Sequence, residues 1–211
     1  MQIKQDFIPV GRRNRPGGHM TPKSITIHDT QNLKEGADAE SHARFLKAGA
    51  ADVPASWHFT VDHDSIVQHL PLNESAFHAG DGPNGPGNTT SLAVEITENP
   101  DGNRAKAEQN AAILVASLLK TYNLGLDRVV QHHWWSGKDC PRVLRSRRGG
   151  WEGFIKAVKE AGEYKMKPED ANKIIAAFLG PMYNFVTDPK EKAECQRLAD
   201  ELRKASGQKG A

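Results

Sequence analysis

Apolar and polar residues alternate over residues 24–30, SITIHDT, where Ile25 and Ile27 oppose Thr26 and His28. A period of two predicts a strand with one face in the core. The alternation recurs in SWHFTVD (56–62), with Trp57, Phe59 and Val61 on one side. It recurs again in SLAVEIT (91–97), where Leu92, Val94 and Ile96 oppose Ala93, Glu95 and Thr97. SIVQHLPL (65–72) follows the second of these after a short turn, so the pair predicts a hairpin. VVQHH (129–133) reads as a short strand or the end of one. Helical spacing marks DAESHARFLKAG (38–49), which stops at Gly49, and the amphipathic GWEGFIKAVKEAG (150–162). KAEQNAAILVASLLKTYN (106–123) is apolar around much of its surface, as a largely buried helix is. GDGPNGPGN (80–88) is nearly all turn formers and predicts a surface loop. Strands with a hairpin among them, mixed with helices, predict an α/β domain: a mixed sheet with helices packed on it.

The pattern changes after residue 162. EYKMKPED is polar, holds a proline and reads as a linker. Two helical patterns follow. PEDANKIIAAFLG places Ala171, Ile174, Ile175, Phe178 and Leu179 at helical spacing. In DPKEKAECQRLADELRKASG, Asp188 caps, Pro189 takes the first turn and Cys195, Leu198, Ala199 and Leu202 form the stripe. The chain therefore divides into a domain over 1–163 and a small helical module over 164–211. Two helices make a weak core alone, so they pack on the main domain, a second copy or a partner.

Composition narrows the classes. The chain has 211 residues, 37% of them hydrophobic and 26% charged, with a net charge of +2. That suffices for one ordinary domain and an appendage, and falls short of the basic stripe of a nucleic-acid binder, so no nucleic-acid partner is expected. Two cysteines, Cys140 and Cys195, do not make a disulfide scaffold. The opening MQIKQDFIPVGRRNRPGG lacks the apolar core of a secretory signal, and no stretch is long enough to span a bilayer. The expectation is a protein made in the cytoplasm and let out, if it acts outside, by something else.

The chemistry concentrates in QHHWWSGKDC (131–140). A catalytic zinc takes three nitrogen or sulfur ligands and keeps a corner for water. Cys140 is a soft ligand, His132 or His133 a second, and a third must come from elsewhere. His28, near a strand end, is a candidate, although alone such a histidine reads as structural or solvent-facing. Glu95 sits mid-strand on the polar face, where a carboxylate is costly unless paired or working. Lys138 lies two residues before Cys140 and is tethered close to whatever Cys140 binds.

SITIHDT, SWHFTVD, LPLNESAFHAGDG, SLAVEITENPDGNRAKAEQNAAILVASLL and HHWWSGKDCP follow one another in the order of a known family. They resemble the type-2 zinc-dependent N-acetylmuramoyl-L-alanine amidases, above all the phage and prophage lysins of Bacillus-type hosts, over residues 25–155. The resemblance implies a central mixed sheet flanked by helices, the fold shared with peptidoglycan recognition proteins. It implies one Zn2+ on His28, His132 and Cys140, with His133 pointing elsewhere. It makes Glu95 the residue that handles the water and Lys138 the support of the scissile carbonyl, and it puts His78 on the cleft. Other branches carry a tyrosine before the hairpin histidine; here that position is Trp57, next to His58, so Glu95 carries more of the mechanism. Trp57 and His58 stand as substrate contacts, with a structural role open for His58. Trp134 and Trp135 read as core and cleft wall.

The implied activity is hydrolysis of the amide between the lactyl group of N-acetylmuramic acid and L-alanine in bacterial peptidoglycan. The implied setting is host lysis by a lysin released through a holin. Two rivals remain: a non-catalytic peptidoglycan-binding module on the same scaffold, and a closed structural zinc with His133 or Asp139 as fourth ligand. RVLRSRRGG (142–150) reads as a solvated loop, or as an attractor of acidic wall polymers. The helical tail reads as a wall-binding module or as the contact of a homodimer.

Overall fold

The computed structural model describes residues 3–163 and 166–209. In chain order the strands are β1 (Ile3–Gln5), β2 (Ser24–Asp29), β3 (Phe59–Val61), β4 (Ile66–Gln68), β5 (Ser91–Ile96) and β6 (Val129–Gln131). The helices are α1 (Ala39–Lys47), α2 (Pro86–Thr90), α3 (Arg104–Thr121), α4 (His133–Ser136), α5 (Arg142–Ser146), α6 (Gly150–Gly162), α7 (Pro168–Ile174), α8 (Gly180–Phe185) and α9 (Pro189–Ala205). The chain forms two compact units, residues 1–162 and 163–211.

The first unit holds one six-stranded sheet in the order β1-β4-β3-β5-β2-β6. The hairpin pair β3/β4 is antiparallel and every other pair is parallel. The sheet is therefore mixed, with helices against it. Ile25, Ile27, Phe59, Val61, Leu92, Val94 and Ile96 build one face into the main core with Ala111, Val115 and Leu118 of α3 and Phe154 and Val158 of α6. The other face carries a smaller apolar cluster of Ile8, Leu46, Trp57, Leu70, Ala76 and Ala93.

This two-sided covering changes the strand reading. β2 is buried along its whole length, not on one face only. Alternation there separates two packed faces, one apolar and one polar, as central parallel strands allow. Trp57 precedes β3 and belongs to the smaller cluster, away from Phe59 and Val61. The segment 80–88 is not all loop, because α2 starts at Pro86. Helix starts follow capping chemistry: the Asp38 side chain accepts from Ser41 N at 2.7 Å, and Asn103 from Lys106 N at 3.0 Å.

The basic run after Cys140 is not a free loop. Arg142 to Ser146 is a short helix, and Arg142, Arg145 and Arg147 pair with Glu98, Asp139 and Glu108 at 2.8, 2.7 and 2.7 Å.

In the second unit, α7 runs through a wide π turn at Ile175–Leu179 into α8. Pro181 offers no N–H to the Ala177 carbonyl, and the wider turn lets the helix continue past it. Asp188 caps α9 through Lys190 N at 2.8 Å. Ala171, Cys195 and Ala199 are buried, whereas Phe178 and Phe185 are 70% and 87% exposed. The linker reading of 163–170 falls partly on residues 164 and 165, which lie outside the described residues; from Pro168 the chain is helical. Both cysteines are free and buried.

Candidate metal centre and cleft

Parallel strands end together, and that is what assembles the site. β2 and β5 run in register with His28 beside Glu95. β6 lies on the other side of β2, pairing Gln131 with Ile27, so His132 emerges next to His28. Its amide donates to the Ile27 carbonyl at 3.2 Å. The chain then turns through α4 and closes it with Gly137 at φ 73°, a conformation suited to glycine. The turn returns Cys140 to the same point: His133 N donates to the Cys140 carbonyl at 3.0 Å. Trp135 pins the turn by donating from Nε1 to Thr26 Oγ1 at 2.8 Å. α2 packs on that indole so closely that a Cβ on Gly87 would come within 2.8 Å of it.

His28, His132 and Cys140 bring one ligand atom each within 4.8 Å of one another, all three buried. Cys140 Sγ lies 3.9 Å from His28 Nδ1 and accepts from Asp29 N at 3.4 Å. His132 Nε2 meets the Ala79 carbonyl at 3.0 Å, while its Nδ1 is buried with no hydrogen-bond partner. A buried lone pair without a donor is costly unless a cation completes it.

The electrostatics point the same way. Burial, then His78, His132 and Lys138, hold His28 well below the usual histidine range. Burial, then Lys138, lowers His132 to about 4. Both rings are therefore neutral, as metal ligands must be. Burial and Glu95 push the Cys140 thiol up to about 12, so an ionised sulfur here needs a positive charge beside it. Three soft or borderline donors, with no fourth ligand joining them among the described residues, fit an open zinc site. Neither His133 nor Asp139 joins the cluster: His133 Nδ1 turns to the Lys138 carbonyl at 3.1 Å, and Asp139 pairs with Arg145.

The cluster opens on a cleft of about 480 Å³. Glu95 and Lys138 both line it, with Trp57, His78, Asn32, His42, Phe45 and Phe77. Glu95 Oε1 stands 3.8 Å from His28 Nδ1, and Oε2 has no hydrogen-bond partner. Burial, then Asp29, raises its pKa well above the carboxylate range. Trp57 donates from Nε1 to Thr60 Oγ1 at 2.7 Å, which fixes its ring at the cleft. His58 lies beneath the cleft. It is fully buried, its Nε2 bonded to the Glu74 carbonyl at 2.9 Å and its Nδ1 to Ala93 N at 3.0 Å. His78 stands behind His28 at 3.1 Å, its ring pushed to about 3 by burial. Trp134 is 74% exposed and no part of the core; Trp135 does not line the cleft either and instead braces the α4 turn against Thr26.

Sequence reasoning missed Asp29. It is buried, pairs with Arg104 at 2.5 Å and accepts from Val143 N at 2.7 Å, tying β2 to the helices that flank the site. Its position directly after a candidate ligand was the available signal. Asn32, His42, Phe45 and Phe77 of the cleft gave no such signal, since they come from separate loops and α1.

A family profile described as N-acetylmuramoyl-L-alanine amidase matches residues 18–143. The N-acetylmuramoyl-L-alanine amidase XlyA of Bacillus subtilis (strain 168) is 50% identical over 197 residues, covering 90% of this chain and 64% of XlyA. CwlH of the same strain is 49% identical over 159 residues, covering 75% of this chain and 62% of CwlH. The chain thus spans just under two thirds of the length of these relatives. The solved catalytic domain of XlyA superposes with a TM-score of 0.71 at 52% identity, covering 75% of this chain and 99% of that one. PlyL does so with a TM-score of 0.67 at 34% identity, covering 75% and 97%.

Proposed function

The chain belongs to the N-acetylmuramoyl-L-alanine amidase family, and from that premise we propose that it hydrolyses the amide joining the lactyl group of N-acetylmuramic acid to L-alanine in bacterial peptidoglycan. One observation carries the reading: three neutral or ionisable donors converge within 4.8 Å, and Glu95 stands beside them on an open cleft.

His28 Nδ1, His132 Nδ1 and Cys140 Sγ would hold one zinc ion. When bound, zinc polarises the scissile carbonyl and acidifies water. Glu95 then works as the base. Its carboxylate takes a proton from the attacking water and passes it to the departing alanine nitrogen. A carboxylate whose burial favours the protonated form both accepts that proton and holds it until the leaving group needs it. Lys138, on the cleft wall, supplies positive charge to the oxygen that becomes anionic in the tetrahedral state. Trp57, Phe45 and Phe77 shape the wall on which the substrate lies and shed water from it.

The relatives are named N-acetylmuramoyl-L-alanine amidases, which supports peptidoglycan as the substrate, and release through a holin-type opening suits a lysin. No described helix is long and apolar enough to cross a membrane. The helical tail either targets the wall or pairs two copies.

Cys140→Ser tests the reading. The expected result is loss of bound zinc, read by metal analysis, together with loss of new amino termini from purified walls. Undiminished hydrolysis by the zinc-free variant would reject it. Zinc binding by the wild type without any release of amino termini would favour the non-catalytic recognition module.

A further inference from the structure

Both candidate metal histidines lean on one short piece of chain, residues 78–79. His28 Nε2 lies 3.1 Å from His78 Nδ1, and His132 Nε2 lies 3.0 Å from the Ala79 carbonyl. That piece is itself clipped. Asn88 Oδ1 accepts from His78 N at 2.7 Å and from Ala79 N at 2.8 Å, and Asn88 Nδ2 donates to the Gly82 carbonyl at 2.9 Å. Asn88 is buried, and both polar atoms of its side chain are engaged in these three bonds.

The protons follow from the acceptors. His78 Nε2 lies 3.3 Å from the Ser91 carbonyl, which can only accept. A neutral His78 ring has one N–H, so that N–H is on Nε2 and Nδ1 is a bare acceptor. The proton between the two histidines then belongs to His28 Nε2, which leaves His28 Nδ1 with its lone pair toward Cys140 Sγ, 3.9 Å away. The Ala79 carbonyl fixes His132 in the same tautomer, with Nδ1 free. A carbonyl of β5 and a carbonyl of the clip thus set both ligand tautomers before any ion arrives.

We propose that His78 and Asn88 are positioning residues that hold His28 and His132 in the ring orientation and tautomer a metal requires, His78 acting through His28 rather than on substrate. This rests on the reading that the three-residue cluster holds zinc. Outer partners of metal histidines carry about 10- to 100-fold of metal affinity.

The test uses the full chain, freed of metal, with zinc and a chromophoric chelator in competition. His78→Leu and Asn88→Ala are expected to bind zinc about 10- to 100-fold more weakly than wild type. His78→Asn, which keeps an acceptor at the δ position, is expected to restore most of that loss. A purely packing role for residue 78 would show the reverse order, the isosteric apolar Leu doing better than Asn. The imidazole 15N shifts of the metal-free wild type give an independent readout, which stands even where a variant does not fold. His28 protonated on Nε2 supports the proposal. His28 protonated on Nδ1, or His78→Leu binding zinc as tightly as wild type, overturns it. Wild type that binds no zinc would sink the amidase reading instead, while the 15N shifts would still decide the tautomer relay.

Discussion

At the scale of single residues, the site sets against each other two carboxylates beside His28, Asp29 next to it in the chain and Glu95 across the strand pair. Asp29 has Arg104 at 2.5 Å and a backbone amide, whereas Glu95 has an oxygen without any partner. The first is spent on structure; the second keeps an oxygen free for the proposed base role. Glu95→Gln keeps the shape and removes the base. The expected result is zinc bound at one equivalent and a fall in kcat of about 100- to 10,000-fold, measured as release of amino termini from walls. A variant that keeps wild-type turnover would remove Glu95 from the mechanism. His58 makes a different prediction. Burial lowers it to about 4, with Glu74, His69 and His78 the ionisable neighbours around it. A histidine whose folded pKa lies below its unfolded value stabilises in its neutral form. That contribution is complete above the unfolded pKa near 6.5 and is lost as pH falls from there toward 4, at up to about 1.4 kcal/mol per pH unit. His58→Gln should therefore melt lower at pH 7 yet show a shallower fall of Tm between pH 7 and pH 5. Parallel Tm curves for the two proteins would show that His58 titrates as it does in the unfolded chain.

At the scale of elements, most of the framework was readable because strand period, caps and turn residues are local signals. α1, α3, α6 and α9 begin where Asp38, Asn103, Gly150 and Asp188 stand, and the hairpin turns where Asp62 gathers the amides of Asp64 and Ser65. Asp38→Ala should accordingly cost about 1 kcal/mol of stability, read as a lower midpoint in urea with an unchanged slope; an unchanged midpoint would deny the cap its role. Burial was less readable. The polar face of β2 looks solvent-facing in a sequence, because nothing local announces the segment 74–90 that folds over it. For the same reason the sequence marks His78 only as a cleft residue, which it is, and gives no sign of its bond to His28, 50 residues away. The basic run misled in the other direction. Its arginines look free in a sequence, but Glu98, Glu108 and Asp139 meet them only once β5, α3 and the Cys140 turn are assembled.

At the scale of the whole molecule, the two units raise separate questions. Residues 1–162 contain the three candidate ligands, Glu95, Lys138 and the cleft, together with the main core. The solved catalytic domain of XlyA is matched over 99% of its length by 75% of this chain, so a domain of that extent is a unit that stands alone in a relative. Among the described residues of the second unit, only Ala171, Cys195 and Ala199 are buried and apolar, and Phe178, Met182 and Phe185 are exposed. An apolar surface of that kind is worth its cost in solution only if something covers it during work. Similarity to XlyA nonetheless covers 90% of the chain, more than the first unit alone, so the tail is shared in part with that relative. A chain ending at Gly162 should fold, bind zinc and hydrolyse soluble muropeptides at the rate of the full chain. If the tail targets the wall, that chain should lyse whole cells more slowly, because it would lack the element that concentrates the enzyme there. Replacing Phe178 and Phe185 by Ser in the full chain separates targeting from dimerisation: both readings expect slower lysis, but only dimerisation expects the variant to halve its mass in solution. Equal lysis by the truncated and full chains would assign the tail neither role.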